Sequence, residues 1–274
     1  MSALGRLLAR LAHAPALLVT VERTEGSVPR EVGAWLALCG DELLGTIGGG
    51  QLEHQAIAEA RALLAAVPFV GARQRRYPLG PSLGQCCGGV VHLAYEWVTA
   101  VDAEVLRERL RTPAAALALF GGGHVGRAIV RLMDGLPFAV HWIDSRDAVF
   151  PPELPANVRV EHSEPAEAAV ADLQAGSAVL IMSFSHAEDL RIVAACLARR
   201  RAQADLPFIG LIGSRTKWAT FRHRLAARGF GADELDAVTC PIGLPGITGK
   251  QPAVVAVAVV AQLLALPLPQ VGRV

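Results

Sequence analysis

Two adjacent thiols, Cys86 and Cys87, stand in Leu79-Gly-Pro-Ser-Leu-Gly-Gln-Cys-Cys-Gly-Gly89. Thiolates are soft nucleophiles and soft metal ligands, so the chemistry on offer is binding of a soft metal, of a thiolene group, or of a sulfur donor. Neighbouring cysteines are badly placed to bridge each other, because the ring they would close strains the peptide between them. The glycines and proline around them make a loop whose backbone a ligand can approach closely. Buried, inert cysteine is the competing reading, but its usual company is apolar. Cys39, in a strand-like segment, and Cys196, in an apolar helical one, fit that description better.

A second chemical signal is Ala116-Leu-Ala-Leu-Phe-Gly-Gly-Gly-His-Val-Gly126, an apolar run ending in glycines at GxGxxG spacing and continuing as a helix. Gly121 allows the tight turn, Gly123 lets backbone N–H groups approach a phosphate, and Gly126 lets helix and strand pack closely. A helix N-terminus placed there faces an anion. The segment Phe138-Ala-Val-His-Trp-Ile-Asp144 follows as a second strand ending in an acid, 18 residues beyond Gly126. Dinucleotide-binding folds place the carboxylate that reads the ribose at that distance. A glycine turn that binds nothing is the alternative.

Gly48-Gly-Gly50 offers a second strand-to-helix turn of the same physical kind, as another anion seat or as a tight corner. Glu53, in the first turn of the helix that follows, complements its dipole. His186 and Asp189, in Phe184-Ser-His-Ala-Glu-Asp189 at the end of a buried strand, fall on the rim where open parallel sheets bind ligands. There His186 is a candidate acid, base or hydrogen-bond donor, while Ser185 or Asp189 is a candidate helix cap. The chain has two lysines, Lys217 and Lys250, each at a loop-to-helix entry and each a candidate phosphate contact or a solvated surface group.

The elements that must position these groups divide in two. A short amphipathic helix precedes a strand over 16–22. A hairpin folds around Gly40-Asp41, a helix spans 51–66, a strand lies near 69–77, and an alternating strand covers 90–98. Residues 99–115 read as a helix and a link, broken at Thr112-Pro113. After the glycine turn, buried strands at 138–144, 158–161, 178–183 and 208–212 alternate with helices at 165–173 and 190–200. The pattern predicts an α/β protein: a Rossmann-like parallel-sheet C-terminal domain over 113–274 and a smaller mixed α/β N-terminal domain over 1–112.

Composition narrows the function classes. Of 274 residues, 52% are hydrophobic and 19% charged, which indicates an ordered globular chain. A formal net charge of +1, with no basic cluster interleaved with aromatics, argues against nucleic acid. Five cysteines without a CxxC pair do not make a secreted disulfide framework and suit a reducing cytoplasm. The apolar run over 253–266 is too short to span a bilayer and reads as a buried helix.

The motifs Arg23-Thr-Glu-Gly-Ser-Val-Pro-Arg30, Gly45-Thr-Ile-Gly-Gly-Gly-Gln-Leu-Glu-His54, the Cys86-Cys87 loop, Phe120-Gly-Gly-Gly-His-Val-Gly126, Gly210-Leu-Ile-Gly-Ser-Arg-Thr-Lys217 and Cys240-Pro-Ile-Gly-Leu-Pro-Gly246, in this order, closely resemble the XdhC/CoxI family and within it the xanthine dehydrogenase accessory branch. The resemblance runs over about 16–266. It implies a chaperone rather than an enzyme: a carrier of the molybdenum cofactor (molybdopterin) that promotes its sulfuration and inserts it into apo-xanthine dehydrogenase. It also implies a cytoplasmic location, a homodimer, and a cysteine desulfurase as sulfur-supplying partner. On this reading Gln85, Cys86 and Cys87 meet the cofactor, with both thiols as metal ligands. The turn residues Gly121, Gly123, His124 and Gly126, together with Asp144 and His186, complete its site. The chain departs from many members at Val254 and Gln262, where they carry acids, and at Ser183-Phe-Ser185, where they carry threonines. An NAD-dependent oxidoreductase, with His186 and Asp189 as its acid–base unit, is the competing function, and a redox or zinc-binding regulator ranks last.

Overall fold

The structure, a computed structural model, describes residues 3–66, 68–80, 88–111 and 113–271. The chain forms two compact units, Met1–Arg111 and Thr112–Val274.

The first unit is built on β1 (Ala16–Glu25), the centre of an antiparallel sheet with β2 (Trp35–Cys39), β3 (Glu42–Gly45), β4 (Ala72–Pro78) and β5 (Val90–Val98), in the order β3-β2-β1-β5-β4. Successive strand residues point to opposite faces, and here both faces are covered. Leu17, Val19 and Val21 pack beneath α2 (Gly50–Ala65) with Leu52, Ala56 and Ala60. Ala16 and Leu18 pack with Leu7 and Leu11 of α1 (Ala3–Leu11) and Leu106 of α3 (Ala103–Arg109). That double covering makes β1 a continuous apolar run at its start. β4 begins later than its sequence suggests, and a 3-10 turn over Ala100–Asp102 leads into α3.

The second unit is a doubly wound sheet. Six parallel strands, β6 (Ala114–Phe120), β7 (Phe138–Asp144), β8 (Val158–His162), β9 (Ala178–Ile181), β10 (Phe208–Leu211) and β11 (Val238–Thr239), lie in the order β11-β10-β9-β6-β7-β8. A seventh short strand, β12 (Gln270–Val271), runs antiparallel to the start of β6, pairing Gln270 with Ala115. On one face Leu117, Leu119, Val140, Trp142 and Leu180 meet α4 (His124–Leu132) and α8 (Pro252–Ala265). On the other, Phe120, Ile143, Val179 and Ile209 meet α5 (His186–Gln203) and α6 (Arg215–Ala226).

Three local expectations change. The segment expected as a helix over 165–173 is a 3-10 helix, Ala166–Asp172. The helix expected over 190–200 starts four residues earlier, because the Ser185 hydroxyl accepts from Glu188 N at 3.1 Å and caps it at His186. The last helix is buried on one side only: Val257 is 48% and Leu264 51% exposed. Among the described residues no helix is long and apolar enough to cross a membrane.

Candidate functional site

Strand order decides where a ligand can enter the second unit. β6 and β9 are neighbours whose connections leave in opposite directions, so a crevice opens beyond their carboxyl ends. One lip is the glycine turn after β6, and the other is Met182–Ser183 after β9. The two are so close that a Cβ on Gly121, whose φ is +120°, would overlap the Met182 carbonyl oxygen. Gly126 is equally constrained, since a Cβ there would overlap the Gly121 carbonyl. Trp142 holds that same carbonyl from beneath, its indole N–H donating to Gly121 O at 3.0 Å.

Gly123 is different. It caps α4 without a side-chain hydrogen bond, and a Cβ placed on it would meet nothing within 4 Å. The first N–H groups of a helix have no partner inside it, so this end of α4 presents free donors and the positive end of the dipole to open space. His124 lies exposed beside it. A helix end of this kind is where proteins commonly bind anions.

Asp144 arrives from the end of β7, as the spacing predicts, but its carboxylate is already engaged. Oδ2 accepts from Gly122 N at 2.6 Å and from Arg146 Nη2 at 2.8 Å, and Oδ1 accepts from Arg146 N and Nε, each at 2.9 Å. Burial works against the ionised form, yet the Arg146 guanidinium and these backbone N–H groups hold Asp144 below the usual carboxylate range. The Arg146 guanidinium in turn lies over the Phe184 ring, 5.4 Å from its centroid. Arg146 belongs to the same cluster, and its sequence signal is an arginine two places after the strand-end acid.

The rim beyond β9 is a buried polar network. Ser145 Oγ donates to Glu188 at 2.6 Å. Asp189 takes Ser183 N and Oγ on Oδ1, each at 2.8 Å, and Lys217 Nζ on Oδ2 at 2.6 Å. Lys217 also donates to Ile212 O at 2.7 Å, and Asp189 and Lys217 side chains are 2% and 9% exposed. The lysine expected at a phosphate is therefore inside, folded over Gly213, where a Cβ would press on its Cδ at 2.6 Å. His186 is exposed and lies edge-on to Phe221, with ring centroids 6.3 Å apart. The structure does not bring Asp189 to it as an orienting acid.

In the first unit the glycine turn at 48–50 is filled by the protein itself. Glu53 Oε2 accepts from Thr46 Oγ1 at 2.5 Å, Ile47 N at 2.9 Å and Gly49 N at 3.2 Å. Against the effect of burial, these donors keep Glu53 below its ordinary range. Of the two readings of this turn, the corner is favoured, because the Glu53 carboxylate takes the Gly49 N–H and sets a negative charge against the glycines.

Gln85, Cys86 and Cys87 lie outside the described residues. The ends of their loop are joined by Leu79 N donating to Gly89 O at 2.7 Å. Cys196 is fully buried, and burial pushes its thiol up to about 12, as an inert core cysteine requires. Among the described residues no three His, Cys, Asp or Glu side chains gather as a metal set.

Residues 117–263 match the model of the XdhC Rossmann domain, and residues 9–77 match that of the XdhC and CoxI family. An uncharacterized protein of Escherichia coli K12, YqeB, is 25% identical over 256 residues, which are 92% of this chain and 43% of that protein. The chain thus spans less than half the length of that relative. A crystal structure from Bacillus halodurans, described as a xanthine dehydrogenase, shares the fold with a TM-score of 0.75 and 20% identity, covering 96% of this chain and 95% of that one.

Proposed function

Because the chain belongs to the XdhC family, we propose that it is an accessory protein that carries the molybdenum cofactor, promotes its sulfuration and inserts it into apo-xanthine dehydrogenase. The observation that carries the reading is the uncapped start of α4 at Gly123, beside the crevice at the carboxyl ends of β6 and β9. The cofactor is cargo here. Its phosphate takes the N–H groups of Gly123 and of the first turn of α4, with His124 beside it. The Cys86-Cys87 loop, with Gln85, supplies soft ligands to the molybdenum or shields its terminal sulfur. The partners on this reading are apo-xanthine dehydrogenase, a cysteine desulfurase that supplies sulfur, and a second copy of the chain, all in the cytoplasm.

A carrier needs no acid–base pair, and the alternative function does. An NAD-dependent oxidoreductase would have Asp189 orient His186, but both Asp189 oxygens are committed to Ser183 and Lys217.

The test is the pterin and molybdenum content of protein purified from molybdopterin-producing cells, together with activation of apo-xanthine dehydrogenase. Wild type is expected to carry pterin and to activate. The Cys86→Ala/Cys87→Ala double variant is expected to lose activation at least tenfold. Absence of pterin from the wild type, with full activation by the double variant, removes the reading.

A further inference from the structure

The parallel sheet of the second unit is left partly bare at its amino-terminal end, far from the crevice. The crossover from β8 to β9 is the 3-10 helix Ala166–Asp172, whose seven residues advance about 14 Å, whereas a seven-residue strand such as β7 runs about 23 Å. It packs with Ala118 and Ile143 and leaves the strand starts open. Arg199 of α5 fixes where it stops, donating to the carbonyl oxygens of Val170, Ala171 and Leu173 at 2.7, 3.1 and 2.7 Å. Beyond that stop lies a cavity of about 290 Å³, wholly within the second unit. Its floor is Ala116 beside Ala139, paired residues of β6 and β7 whose small side chains leave the sheet flat. Arg159 bounds it on β8, and Gln174 and Ser177 bound it at the turn into β9, three strand spacings or about 14 Å away.

Among the described residues that line this cavity, Arg159 alone carries a full charge. His141 holds it there: Arg159 Nη2 donates to His141 Nδ1 at 2.7 Å, and His141 is only 7% exposed. Because an arginine only donates, the ring hydrogen is on Nε2, which lies 2.7 Å from Glu161 Oε2 but out of line for a hydrogen bond. Burial and the guanidinium, against Glu161, keep His141 below its ordinary range and so neutral at pH 7. Arg159 has no ion pair among the described residues, and its Nε and Nη1 have no protein partner there. A guanidinium fork matches a carboxylate, and one positive charge over an apolar floor, with Glu161 nearby, suits a monoanion better than a phosphate. The volume is at the small end for ligand pockets and leaves room for one or two rings.

We propose that this cavity binds a small planar aromatic carboxylate, with its carboxylate on the free nitrogens of Arg159, its ring flat on Ala116 and Ala139, and its far edge at Gln174. The site is separate from the crevice and does not rest on the carrier reading.

The experiment is calorimetric titration of the full chain with 2-naphthoate and, separately, with 2-naphthamide, acetate and inorganic phosphate. Wild type is expected to bind 2-naphthoate at least tenfold more tightly than any of the other three. Arg159→Gln is expected to weaken 2-naphthoate about tenfold, the effect of losing a charged hydrogen-bond donor, and so to bring it level with the amide. Ala139→Leu fills the floor without touching the charged groups and is expected to weaken 2-naphthoate by a similar factor. Arg159 and Ala139 are both exposed, so the two variants keep their fold, which an unchanged melting temperature confirms. No binding of 2-naphthoate, equal binding of its amide, acetate or phosphate, or 2-naphthoate binding that neither variant weakens overturns the inference.

Discussion

The two glycine turns of this molecule have the same local composition and opposite fates. At 48–50 the acid that answers the turn is Glu53, in the helix the turn itself begins. One carboxylate oxygen collects a hydroxyl and two backbone N–H groups within seven residues of chain. At 121–126 the answering acid is Asp144, from the next strand, and it takes a single N–H of the turn, that of Gly122. The start of α4 is left over. A local acid consumes the donors of its own turn, whereas an acid from a neighbouring strand is held at a distance by the sheet and stops short of the helix end. The first turn carries its own carboxylate, and the second meets one only at Gly122.

This comparison breaks most sharply at Gly121. Its positive φ and the Met182 carbonyl oxygen against it leave no room for a side chain, so Gly121→Ala should destabilise the second unit by about 3 kcal/mol. Denaturant unfolding checks it; a loss within 0.5 kcal/mol would mean that the two lips of the crevice move apart freely.

The corner comes next. Glu53→Gln removes an ionised acceptor from three donors and should cost the first unit about 2 kcal/mol at neutral pH. Since the folded protein holds Glu53 below its unfolded value, that contribution is complete above the unfolded carboxylate range and is lost as pH falls through the folded one. The difference between wild type and Glu53→Gln should therefore shrink in acid. A difference independent of pH down to 3 would show that ionisation has no part in closing the corner.

The smallest effect on stability, and the sharpest on the second turn, belongs to Gly123→Ala. With nothing within 4 Å of the added methyl and no positive φ at this position, stability should move by less than about 0.5 kcal/mol. The methyl instead crowds the open helix end, so pterin retention should fall several-fold. Unchanged retention would place the anion elsewhere.

How much of this could be read from residues alone follows from how local each signal is. The glycine spacing, the strand that follows and Asp144 at its end are periodic features of a short stretch, and the parallel order needed only the alternation of buried strands and helices. The Ser185 cap was legible for the same reason. Lys217 was not, because its burial depends on Asp189, which is 28 residues away, and on the missing side chain of Gly213. Glu53 was visible as a first-turn acid, but dipole complementation and donor capture look alike until the turn is folded. Arg146 pairs with an acid only two residues away, but its other partner, Phe184, comes from the end of a different strand. The short 3-10 helix over Ala166–Asp172 has the apolar spacing of a helix, with Ala166, Ala169 and Val170 buried, so that spacing does not separate the two.

β12 lays the last described residues of the second unit beside its first strand, Val271 against Ala114 and Gln270 against Ala115. The first strand of the unit and its last described residues are therefore next-door neighbours. The unit's ends can be joined by a short linker and the ring reopened at an exposed loop without changing a strand neighbour. The same adjacency suits it to insertion as a single piece into a surface loop of another protein.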